Sequence, residues 1–160
     1  MKEYTHNFAC WAAARAIHNP QNKGTKTKII KAAIEKVGFE KYIENPQLLE
    51  SYKKSHNVLV NKLNKELDWN LDEQYGVLAK IIAMYFKVAI ILPNKTSKKI
   101  MEQIYPPIDS HHLKTIGLRQ LKWTSMNAKE FNQSIVALES YCKTNSMSFI
   151  DFEGKHSLVK

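Results

Sequence analysis

The run from Val77 to Leu92 is the most apolar part of the chain, interrupted only by Lys80 and Lys87. Such a segment has to be surrounded by other elements or by lipid. It falls short of the roughly 20 residues that a bilayer span requires. Each lysine at the centre of a bilayer would add a cost of about 2.5–3.5 kcal/mol. The run is therefore expected to be the core helix of a domain with no membrane partner.

The chain has 160 residues, of which 44% are hydrophobic, enough for one core. Five glycines and five prolines are too few for the tight turns of a sandwich or barrel, and good helix formers fill the intervals. The expected fold is all-α: a single compact domain over residues 1–160 with about seven helices.

Asn7 is read as the cap of a first, alanine-rich helix from Phe8 to Ile17, stopped by His18-Asn-Pro20. Thr25 or Thr27 opens a second from Lys28 to Val37, ended by Gly38. Pro46 opens a long helix to Leu67, with His56 on its apolar stripe as a core histidine. Asn70 and Glu73 resemble a capping box for the central helix. A short helix from Ser97 to Tyr105 meets Pro106-Pro107, and Asp109 or Ser110 caps another that ends at Gly117. A last long helix runs from Ala128 to Lys143, and the segment after Thr144 reads as a short strand or an extended arm.

Basic residues outnumber acidic ones by 24 to 15, a formal charge of +9. An excess of this size favours an acidic partner, nucleic acid above all, because neutralising phosphates releases counterions. All the basic residues except Arg15 and Arg119 are lysines, a usage that suits backbone contact better than base readout. Tyr4 to Ile34 contains no acid, and Lys23, Lys26, Lys28 and Lys31 in this block are candidate phosphate contacts, as are Arg119 and Lys122 further on. Trp11 and Trp123 are candidate stacking surfaces for bases.

Cys10 and Cys142 form neither a metal pattern nor a disulfide framework and are expected to be buried thiols in a reducing cytoplasm. The polar opening segment Met1 to Asn7 is unlike a secretory signal. No glycine loop for phosphates, paired-cysteine zinc pattern or serine elbow occurs, and no cofactor or metal is expected. His111 and His112 are adjacent and point about 100° apart on a helix, which suits separate phosphate-facing roles better than a shared metal.

On the central helix, Asp72, Glu73, Gly76, Lys80 and Lys87 share one narrow polar stripe. Gly76 leaves room for another backbone to approach. Lys80 is flanked by Ala79, Ile81, Ile82, Ala83 and Met84, so desolvation should make its amine a better nucleophile.

The segments Gly76-Val-Leu-Ala-Lys80 and Pro107-Ile-Asp109-Ser-His111 resemble the helix-hairpin-helix and catalytic-aspartate segments of base-excision DNA glycosylases, above all the 8-oxoguanine branch. Leu78 stands where that family has its second hairpin glycine. The resemblance implies a hairpin at Gly76 whose amides contact phosphate, Lys80 as a Schiff-base nucleophile and Asp109 as its activator. DNA repair by a glycosylase or lyase is the function it implies. The alternative is a non-catalytic helical adaptor with a protein partner or a homo-oligomeric state, kept soluble by its lysines.

Overall fold

The structure is a computed structural model, described here for residues 1–17 and 27–156. Nine α-helices occur among the described residues, two more than expected, and no strand. The all-α expectation holds. The additional helices are short pieces that connect or close the longer ones.

Helix α1 (Lys2–Ala16) starts well before Asn7, with Met1 at its cap position and no side-chain cap bond. His6, Ala9, Cys10 and Ala13 form its buried stripe, and the small residues let it pack closely on its neighbours. Helix α2 (Thr27–Val37) ends as expected at Gly38, whose φ of +79° turns the chain and delivers Phe39 into the core. Helix α3 (Glu40–Glu44) follows, and Pro46–Ser51 forms a 3-10 turn instead of the first turn of the long helix. Helix α4 (Tyr52–Leu67) then runs to Asp68, whose left-handed backbone closes it.

Helix α5 (Leu71–Phe86) is capped by the Asn70 side chain, which accepts from the Asp72 amide, and continues without interruption into a π-helical segment, Lys87–Ile91. The hairpin expected at Gly76 is therefore not formed. A single glycine costs a helix only about 1 kcal/mol. Val77, Leu78 and Ala79 are all buried, and that burial outweighs the cost. The whole stretch Leu71–Ile91, 21 residues, is long and apolar enough to cross a membrane by length and composition, and 67% of its most apolar window is buried inside the fold. It packs on both α1 and α4.

Helix α6 (Lys98–Met101) is shorter than expected, and helix α7 (Ser110–Thr115) is capped by Asp109. A 3-10 turn at Trp123–Ser125 packs on α5. Helix α8 (Ala128–Thr144) opens with a full capping box between Asn127 and Glu130. The segment after Thr144, read as strand or arm, is helix α9 (Phe149–His156). Its start is fixed by Ser148 and Asp151, whose side chains bond to each other's backbone amides at 3.1 and 3.0 Å.

His56 is a core histidine, as its place on the stripe suggested. It is 4% exposed and stacks on Phe131 at 5.1 Å among Tyr52, Tyr75 and Tyr105. Burial lowers its pKa from 6.5 to about 3. The folded protein thus holds the neutral ring, while the unfolded chain takes up a proton below its own value near 6.5. Stability should be fully present above pH 6.5 and fall as the pH drops from there towards 3. In His56→Phe, chemical denaturation across this range should show a shallower loss on acidification than in the wild type.

Candidate nucleic-acid interface around Lys80

Gly76 organises the site by what it lacks. It is buried midway along α5, and its amide donates to the Met126 carbonyl at 3.0 Å. A β-carbon there would stand 2.4 Å from the Trp123 carbonyl oxygen and 2.9 Å from Met126 Cβ. The backbone of residues 123–126 thus rests directly on the helix, as the missing side chain led us to expect. The same geometry removes Gly76 from the candidate phosphate contacts, because its amide is turned to Met126 and covered.

The turn that rests on Gly76 places the Trp123 ring over Lys80, with Nζ 3.8 Å from the ring centroid. A cation over an indole face is an attractive arrangement, stronger when water is excluded. Burial lowers the Lys80 pKa, and the carboxylates of Asp109 and Glu153 partly oppose the shift. Asp109, 29 positions away in sequence, is thus one of two carboxylates whose charge acts on Lys80.

Asp109 earns its position as the cap of α7. Its Oδ1 accepts from the His112 amide at 2.9 Å and stands 3.5 Å from His112 Nδ1. The Pro107 carbonyl lies 3.0 Å from the same Nδ1 and can only accept, so that nitrogen carries a hydrogen. His112 Nε2 is then directed at Glu153 Oε2, 3.6 Å away, and both atoms are buried with no hydrogen-bond partner. Glu153 Oε1 receives the Lys87 ammonium. Asp109, His112, Glu153 and Lys87 thus form one chain of charged and polar groups, and the charges of Asp109 and Glu153 act on Lys80.

An apolar cleft of about 260 Å³ opens beside this chain. Ala83 and Ile91 of the central helix, the Tyr105-Pro106-Pro107 turn, and Phe149 and Ile150 of α9 line it, with Lys87 and Glu153 as its polar end. Lys80 and Asp109 do not line this cleft; Glu153 connects the two regions.

The remaining candidates are distributed. His112 is 1% exposed and held inside the network, so it does not present itself to a phosphate on the surface. His111 is partly exposed, near His112 and His156. Arg119 and Lys122 flank the Trp123 turn and, with Lys114, make no ion pair among the described residues. Lys28 lies exposed on α2, and Lys31 pairs with Glu35 at 3.5 Å. Trp11 is on a different element, 49% exposed on α1 and stacked on Phe8 at 5.5 Å. Lys23 and Lys26 lie outside the described residues. Glu153 was not anticipated from sequence. The available signal was that it is the one acid a turn away from Phe149 on the buried side of α9, a side unreadable while the segment was taken for a strand or arm.

Comparison with known proteins finds no matching family model, curated protein or solved structure.

An exposed helical Gly→Ala change stabilises by about 1 kcal/mol. At Gly76 the sign should reverse, with a loss of about 1–3 kcal/mol from overpacking against a backbone that cannot yield. Urea unfolding measures the loss, and a change in Trp123 fluorescence should accompany it as the turn is lifted from Lys80.

Proposed function

We propose that the protein binds nucleic acid, DNA in the first instance, through the surface that carries Lys114, Arg119, Lys122 and the Trp123 turn. The observation that supports this reading most is that Trp123, whose ring covers the semi-buried Lys80 amine, directly follows the exposed Lys122 in a segment that also carries the exposed Arg119. With no hairpin at Gly76, phosphates would be held by side-chain cations instead of helix-start amides, a form of contact that fixes position without reading sequence.

In its finer form the proposal makes the protein a glycosylase or lyase. The Lys80 amine, in its deprotonated state, attacks the sugar C1′, the bond to the base breaks, and the sugar ring opens to leave a Schiff base on Nζ. Asp109 orients the amine. The lowered Lys80 pKa favours this form, since more of the amine is free of its proton at a given pH. The second reading is a non-catalytic adaptor, favoured by the outward stripe of Tyr4, Phe8 and Trp11 on α1, exposed by 74, 47 and 49%.

Fluorescence anisotropy with duplexes carrying a mismatch or an abasic site should show affinity falling steeply with salt. Arg119→Ser and Lys122→Ser should each reduce the log–log slope by about 1. Affinity unaffected by salt and by both substitutions overturns the binding proposal. Borohydride should trap a covalent complex with a lesion-containing duplex, more efficiently as pH rises and with a midpoint below 10.5. Lys80→Gln should abolish trapping while leaving salt-sensitive binding in place. Binding without any trapped species removes the lyase claim alone.

A further inference from the structure

A second cluster lies where α1, α2 and α3 meet, apart from the Lys80 network. His6 is 2% exposed, and its Nδ1 lies 2.8 Å from the Tyr85 hydroxyl, which fixes the ring. Its Nε2 is surrounded by Glu40 Oε1 at 3.3 Å, Glu35 Oε1 at 3.5 Å and Cys10 Sγ at 3.5 Å. We infer that these four side chains form a site for a first-row divalent cation of the zinc class, with His6 Nε2, Glu35 and Glu40 as principal ligands and the Cys10 sulfur on the buried side.

The spacing carries the inference. The oxygens are farther from Nε2 than the 2.7–3.2 Å of an ordinary N–H···O bond. Ligand atoms about 2.0–2.3 Å from a tetrahedral ion stand about 3.3–3.8 Å from one another. The separations around Nε2 agree with the second figure, and the ligand atoms of His6, Glu35 and Glu40 all lie within 4.8 Å of one another. A buried imidazole with its far nitrogen hydrogen-bonded is also how a ligating histidine is usually held.

The charge balance is consistent with a cation. Two carboxylates converge here, and the charged group facing them is Lys31, 3.5 Å from Glu35. The Cys10 sulfur, 3.5 Å from His6 Nε2, adds a soft donor on the buried side. Nitrogen and sulfur among the donors select zinc, cobalt or nickel over magnesium or calcium. Glu35 and Glu40 have side chains 43 and 46% exposed, which gives the ion a route of entry.

The test uses the full chain, freed of metal with chelator and titrated with Zn²⁺ by calorimetry and with Co²⁺ by visible absorption. One ion per chain should bind, raise the unfolding temperature and, with cobalt, show a thiolate charge-transfer band that Cys10→Ser removes. Glu35→Gln and Glu40→Gln should each weaken binding at least ten-fold, with helical content unchanged. The double variant His111→Ala, His156→Ala should bind as the wild type does. No bound ion, or an affinity indifferent to the two glutamate substitutions, overturns the site. Loss of binding in the His111/His156 variant transfers the ion elsewhere and overturns it equally. A cobalt spectrum without the thiolate band overturns the assignment of Cys10.

Discussion

Everything in this fold is arranged around burying one helix on nearly all its sides. Ten residues of Leu71–Phe86 are buried, and its exposed charges, Asp72 and Glu73, are confined to the first turn. Lys80 lies among the buried residues and Lys87 in the π-helical segment that continues the helix, and desolvating an ammonium is costly unless something replaces its water. The surrounding elements supply those replacements in two different ways. Lys87 receives a carboxylate, Glu153, delivered by α9. Lys80 receives an aromatic face, Trp123, delivered by a turn that reaches the helix because Gly76 has no side chain. The positions of the 123–126 turn and of α9 follow from these requirements as much as from apolar packing.

The two solutions have different chemical consequences. Lys87 has a carboxylate in direct contact. An ammonium facing a ring, with its nearest carboxylates acting at longer range, is held less firmly, and the lowered Lys80 pKa reflects this. Lys87 closes the polar end of the cleft, which Lys80 does not line.

Local signals in the sequence were legible wherever one short stretch contains both partners of an interaction. Gly38, Gly117, Asn127 and Asp109 each end or start a helix in the way their residue types dictate. The start of α1 was misplaced because Asn7 looks like a cap, while the true first turn has no capping side chain. The start of α9 was missed because the Ser148/Asp151 box uses an aspartate where glutamate is the commoner signal. The site was half legible. That Gly76 admits another backbone follows from its lack of a side chain, but which backbone arrives depends on residues some 50 positions later. The hairpin resemblance failed at Leu78 for a related reason: the residue that replaces a hairpin glycine is fully buried, and its burial favours continuing the helix. The convergence of His6, Glu35 and Glu40 needs three helices in place and leaves no trace in local pattern.

The Lys87–Glu153 contact joins positions 66 residues apart, and its acidic half is on an eight-residue helix that packs on α7 and α8. Helices of that length have little stability of their own and depend on their docking. Residues of α9 form one wall of the apolar cleft, so undocking of α9 removes that wall in a local opening with a free energy below that of global unfolding. When α9 lifts, Lys87 loses its carboxylate, His112 loses its neighbour, and Lys80 loses one of the two charges acting on it. The electrostatics of the central helix are therefore set by how often its last neighbour is in place, and amide exchange in α9 reports on the site without any ligand being present.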